Sequence, residues 1–157
     1  GVSSAASDVY KRQASDLISF GRDLRKKINK LQNFIHPIDK NIKMCTHVLW
    51  SGKTTLDKLC SSNAVFYGEK AIDRSPCGTG TSARLAQKYF KGELNLGQKF
   101  IHKSIIDSKF IGCIEKEVSI GNYKGIIPSI EGNARIIGYN KLIFDPSDPY
   151  FSGFQVI

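Results

Sequence analysis

Long apolar runs, paired cysteines and internal repeats are all missing from this 157-residue sequence, and each absence removes a class of protein. Without a stretch of about 18 apolar residues, no membrane-spanning helix is expected. The four cysteines, Cys45, Cys60, Cys77 and Cys113, contain no Cys-x-x-Cys pair, and their irregular spacing suggests no disulfide framework. A zinc site drawn from Cys45, His47, Cys60 and Cys113 has no paired short spacing, so no metal is expected and chelation should leave the protein unchanged. No secretory signal pattern precedes the cysteines, which points to a reducing cytoplasm. Trp50-Ser51-Gly52-Lys53-Thr54-Thr55 contains the Gly-Lys-Thr of a phosphate-binding loop but lacks its first glycine, because His47 stands at that position. Nucleotide binding is therefore not expected.

What is present describes a folded domain. Hydrophobic residues make up 41% and charged residues 24%, well away from the composition of disordered chains. The net charge of +9 is spread along the sequence. Its densest runs, Arg22–Lys30 and His36–Lys43, interleave no aromatic residues at a spacing that would stack bases, so nucleic acid is not an expected partner. An anionic substrate still gains from the field.

Leu17, Phe20, Leu24, Ile28 and Leu31 recur every three or four residues with basic side chains between them, which predicts an amphipathic helix over Asp16–Asn33. Ser15 or Asp16 can cap it, and His36-Pro37 ends it. Short strands are predicted at Thr46–Trp50, bounded by a Ser51-Gly52 turn, and at Ala64–Tyr67, with loop between them. A second helix is predicted over Thr81–Lys91, with Gly92 as its stop. Further strands follow at Lys99–Ile106, Lys109–Ser119, Lys124–Ser129, Ala134–Tyr139 and Lys141–Phe144, and then a loop with a last short strand in Asp145–Ile157. The fold class is α+β, with one short helix packed among many strands.

Pro76-Cys77-Gly78-Thr79-Gly80-Thr81-Ser82 leads directly into the second helix. A thiol, two glycines and three hydroxyls thus crowd one helix N-terminus, where unpaired backbone N–H groups and the positive end of the helix dipole favour a carboxylate or a thiolate. The glycines permit positive φ and close approach of the backbone to a ligand. Spacing alone fits two readings equally: a reactive cysteine beside a carboxylate site, or a structural turn with Cys77 as a small buried apolar residue.

The segment Asp73-Arg74-Ser75-Pro76-Cys77-Gly78-Thr79-Gly80-Thr81-Ser82-Ala83 resembles the second cysteine motif of the proline racemase family without a substitution. The resemblance extends to Asn63–Gly68, His102–Ile106, Ile127–Ile130, Gly138–Asn140 and Asp145–Pro149, and its tail is similar to hydroxyproline 2-epimerases. It implies one lobe of the two-lobed fold shared by proline racemases and diaminopimelate epimerases, with many strands around a central helix. It also implies cofactor-free inversion at Cα of 4-hydroxyproline or proline by two opposed cysteines. On this resemblance Cys77 is one of the two bases, Asp73 is similar to the carboxylate that holds the imino nitrogen, and the N–H groups of Gly78 and Thr79 bind the substrate carboxylate. His47 is a further substrate-contact candidate, with a satisfied edge-strand histidine as the alternative.

The family relative that dehydrates trans-3-hydroxyproline has threonine at the position of Cys77, so cysteine favours inversion. The first cysteine of the family, in a Met-Cys-Gly-His type motif, has no match here. Met44-Cys45-Thr46-His47 lies in the register of the second lobe, and Cys45 is read as a packing cysteine. The implied organisation is a non-native linker or scar at residues 1–13, a helix leading into the lobe at 14–37, the C-terminal lobe at 38–144, and a tail at 145–157 that packs on a missing N-terminal lobe. A fragment of this kind holds half an active site and should be inactive alone. A dehydratase-like enzyme and a non-catalytic binding module of the same fold remain as alternatives, and a homodimer is compatible with either.

Overall fold

The computed structural model describes residues 14–155; the linker expectation for residues 1–13 lies outside the described residues. The elements are α1 (Ala14–Leu31), β1 (Val48–Thr54), β2 (Cys60–Tyr67), β3 (Ala71–Ile72), α2 (Gly78–Phe90), β4 (Lys99–Lys103), β5 (Lys109–Ile120) and β6 (Tyr123–Glu131). They form one six-stranded sheet in the order β1-β2-β4-β5-β6, with β3 paired to β2. Only β2 and β4 run parallel, and α2 lies in the crossover between them. That connection places the N-terminus of α2 just beyond the end of β2. No helix among the described residues is long and apolar enough to cross a membrane.

Side chains alternate across a strand, so β2 is covered on both faces. Phe66, fully buried, packs under α1 so closely that a Cβ at Gly21 would stand 2.8 Å from its ring. The Arg25 guanidinium lies 5.1 Å from the centroid of the same ring. On the opposite face α2 packs across β5 and β6, and the core there is Leu85, Leu94, Phe100, Ile114 and Ile126. Each buried leucine or phenylalanine of this kind contributes about 1.5–3 kcal/mol. Residues 145–155 of the tail are exposed and join neither layer.

The periodicity-based helices and most strands are present, with three corrections. First, Ser51-Gly52 is not a turn. It lies inside β1, where the register against β2 shifts between Ser51 and Thr54, and a glycine in a strand interior accommodates such a bulge. β1 and β2 then continue into a hairpin closed by Thr55 N–H donating to Cys60 O at 2.9 Å, so the loop expected between them is short. Second, α2 begins at Gly78, three residues before the expected Thr81, because Cys77 acts as its N-cap.

Third, the strands expected at Ala134–Tyr139 and Lys141–Phe144 are not formed, nor is a strand within residues 145–155. Strand propensity is realised only against a partner edge, and no described strand pairs with this segment. Its apolar side chains stand in solvent: Ile137 is 91% exposed, Tyr139 89% and Ile143 80%.

The end of α2 is a Schellman motif. Glu93 N–H donates to Lys88 O at 2.8 Å and Gly92 N–H to Tyr89 O at 2.9 Å, with Gly92 at φ +68°. A Cβ on Gly92 meets nothing within 4 Å, so only the backbone opposes a side chain there. Gly92→Ala is expected to lower stability by about 1 kcal/mol, read as a drop in urea midpoint at unchanged m-value.

Candidate active site

Val65 on β2 starts the chain into the site: Asp73 N–H donates to Val65 O at 2.9 Å, fixing the strand-to-helix connection. From there a ladder of short bonds builds the loop. Asp73 Oδ1 accepts from Ser75 N–H at 2.8 Å, and Ser75 Oγ accepts from Cys77 N–H at 3.0 Å. Ser108 Oγ donates to Arg74 O at 2.8 Å from the β4–β5 turn. The loop is therefore braced by its own side chains and by a neighbouring turn.

Cys77 is buried and adopts φ +65°, ψ 121°. The glycines of this loop could adopt positive φ. The structure instead places it on the cysteine, while Gly78 and Gly80 are not among the positive-φ residues. For a non-glycine residue this conformation costs about 1–3 kcal/mol and persists only where the surroundings enforce it. Its effect is geometric: Sγ turns over the helix start and accepts from Gly80 N–H at 3.3 Å. Gly80 is needed for packing, since a Cβ there would stand 2.9 Å from Leu49 Cδ1 and 3.4 Å from Sγ. Gly78 and Thr79 are exposed, and as first-turn residues their N–H groups have no acceptor within the helix.

His47 immediately precedes edge strand β1. Its ring stacks on Tyr67 at 6.2 Å and Nδ1 lies 2.8 Å from Thr46 Oγ1. It lines a cleft of about 430 Å³ between β1 and α2, together with Ser51, Thr79, Gly80 and Arg84. The structure thus brings His47 and Thr79 to one cleft. Cys77 and half-buried Asp73 are not among its walls, and Cys77 adjoins the cleft through the bond of its Sγ to Gly80 N–H. Cys45 donates its thiol to His47 O at 3.3 Å, and Asn29 holds its backbone N–H. Cys45 is half-buried, so it is held by hydrogen bonds rather than packed as a small apolar residue.

Sequence reasoning missed a polar cluster behind the loop. Asn63 on β2, Thr81 on α2 and His102 on β4 are all buried and meet beneath the Pro76 carbonyl. Burial, reinforced by the positive charges of Arg84 and Lys88, pushes His102 down from 6.5 to about 4. The signal available in the sequence was the presence of Asn63 and His102 within otherwise apolar strand patterns. Lys88, also buried, donates to Lys58 O at 2.9 Å and pairs with Glu93, and burial lowers its proton affinity.

The sequence profile described as proline racemase matches residues 2–155. The chain belongs to the proline racemase family. Among its relatives, a 4-hydroxyproline 2-epimerase of Spirosoma linguale is 53% identical over 145 residues, covering 92% of this chain and 43% of that protein. A 4-hydroxyproline 2-epimerase of Shewanella loihica is 49% identical over 144 residues, with the same coverage. Two solved structures share the fold at a TM-score of 0.75. One is a hydroxyproline epimerase from Agrobacterium vitis with bound trans-4-hydroxy-L-proline, 28% identical over 90% of this chain and 40% of that one. The other is a probable proline racemase from Agrobacterium radiobacter K84 with bound carbonate, 30% identical over 90% of this chain and 41% of that one. This family member spans less than half the length of these relatives.

Proposed function

We propose that this chain supplies one face of a two-base 2-epimerase acting on 4-hydroxyproline, with proline as the second-ranked substrate. The observation that carries the reading is the placement of the Cys77 thiol at the N-terminus of α2, beside the exposed N–H groups of Gly78 and Thr79. A substrate carboxylate held by those N–H groups brings its Cα within reach of the thiol on the preceding residue. Asp73, whose Oδ1 is already oriented by Ser75 N–H, is assigned to the imino nitrogen, and His47 to the cleft side of the substrate.

The chemistry balances without an added reagent. The Cys77 thiolate takes the Cα proton and becomes a thiol, while a thiol on the opposite face protonates the carbanion and becomes a thiolate. We assign that second group to a cysteine of a family N-terminal lobe. The exposed apolar stretch Ile136–Phe144 supports a lobe of this kind, since it presents Ile137 and Ile143 to solvent in the described residues. We assign the chain to a reducing cytoplasm on the cysteine usage of its sequence.

The test is product analysis with a family N-terminal lobe supplied in trans, across proline, trans-4-hydroxyproline and trans-3-hydroxyproline. Epimerisation of the 4-hydroxy substrate above the others is the expected result. Elimination of water from the 3-hydroxy substrate, with no inversion of any, would replace this reading by a dehydratase.

A further inference from the structure

The strained backbone of Cys77 requires something to hold it, and the loop's own ladder ends at its N–H. On the other side of the residue the Pro76 carbonyl accepts Asn63 Nδ2–H at 2.9 Å and, more weakly, Thr81 Oγ1–H at 3.4 Å. Both donors are in turn met by His102: Asn63 Nδ2 lies 2.8 Å from Nε2 and 3.0 Å from Nδ1, and Thr81 Oγ1 lies 3.0 Å from Nδ1. One proton assignment satisfies the bonds at Pro76 O, His102 Nε2 and Thr81 Oγ1, and leaves the approach of Asn63 Nδ2 to Nδ1 a contact without a hydrogen bond. His102 is neutral with its proton on Nδ1, which donates to Thr81 Oγ1; Nε2 accepts from Asn63; the remaining Asn63 and Thr81 protons go to Pro76 O.

A second proton on the ring breaks that arrangement. With Nε2–H facing the Asn63 NH₂, two donors oppose each other. Turning the amide relieves this but sets Asn63 Oδ1, which has no partner now, against Pro76 O, acceptor against acceptor. A second ring proton, on Nε2, therefore works against the clamp on the carbonyl. The charged groups that face His102 are Arg84 and Lys88 of α2. Its register neighbours on β2 and β5 are the neutral Ser61 and Phe110. No described carboxylate joins the cluster to stabilise a positive ring.

We propose that His102 is a positioning residue for Cys77. As a neutral imidazole it holds Asn63 and Thr81 against the Pro76 carbonyl, and that clamp keeps the cysteine backbone at positive φ with its thiol over Gly80 N–H. The proposal deepens, and for its kinetic consequence rests on, the reading of Cys77 as the reacting thiol.

The test compares His102→Gln, which keeps one donor and one acceptor but cannot ionise, with His102→Phe, which keeps neither. Amide resonances of the substrate-free chain are the first readout. His102→Phe is expected to shift those of Cys77 through Thr81 while leaving β5 and β6 in place, and His102→Gln is expected to restore them. In the wild type, acid titration should move the same amides in step with the His102 ring nitrogens, a transition missing in His102→Gln. The second readout is turnover in the complemented enzyme, expected to fall about 10²-fold in His102→Phe and to recover in His102→Gln. Unmoved loop amides in folded His102→Phe overturn the proposal, as does a wild-type loop indifferent to ring protonation. Should His102→Phe fail to fold, the titration and His102→Gln decide alone. Shifted and rescued amides without turnover in the wild type leave the clamp standing and remove the epimerase reading.

Discussion

Stability is expected to fall by about 3 kcal/mol as the pH drops from 6.5 to 4, with His102 carrying the loss. The direction follows from proton counting. In the unfolded chain the imidazole binds a proton near 6.5, whereas in the fold burial delays this to about 4. Between those values the unfolded state holds more protons, so acidification favours it; above 6.5 the contribution is flat, and below 4 the full penalty is in place. Glu93, held below its ordinary value first by its bond to Lys58, adds a loss only below 4.5. Urea midpoints at pH 7, 5.5 and 4 measure the effect, and the difference between wild type and His102→Gln isolates the histidine. The wild-type curve should descend through this window while the variant's stays nearly level. Parallel curves would mean that the ring takes up its proton at the same pH in the folded and unfolded chain.

The second large effect separates chemistry from stability at one atom. Cys77→Ser is expected to reduce epimer formation in the complemented enzyme by about 10²- to 10⁴-fold, the range lost with a positioned acid–base group. Its urea midpoint should remain equal or rise, because serine is a preferred N-cap and its oxygen can accept the Gly80 N–H that Sγ now accepts. A purely structural cysteine predicts the reverse, with activity retained and stability altered. Polarimetry of the product and denaturant titration of the same preparation supply both numbers.

What was legible in the sequence depended on whether the signal was local. The 3.6-residue recurrence from Leu17 to Leu31 placed α1 within two residues, and Gly92 marked the end of α2 because a positive φ was needed there. The Pro76–Ser82 segment announced a helix N-terminus with a thiol on it, and the structure puts Cys77 at the cap. Local reasoning failed where partners decide. Ala134–Tyr139 has the composition of a strand, but no described edge lies beside it. Residue type points to the glycines for positive φ, whereas the structure has it on Cys77, a residue bonded at its N–H by Ser75 and preceded by a carbonyl that accepts from Asn63 and Thr81. The cluster of Asn63, Thr81 and His102 is assembled from β2, α2 and β4, and no spacing along the chain encodes their meeting.

The central claim, that Cys77 is one of two opposed bases at the substrate Cα, is tested most directly by hydrogen isotope exchange. The chain and a family N-terminal lobe are incubated with trans-4-hydroxyproline in heavy water, and the Cα hydrogen of substrate and epimer is read by mass spectrometry early in the reaction. Expected are deuterium in the epimer, protium in the recovered substrate, and epimer formation with Cys77→Ser lowered by about 10²- to 10⁴-fold. Deuterium appearing undiminished in the Cys77→Ser product would contradict the claim.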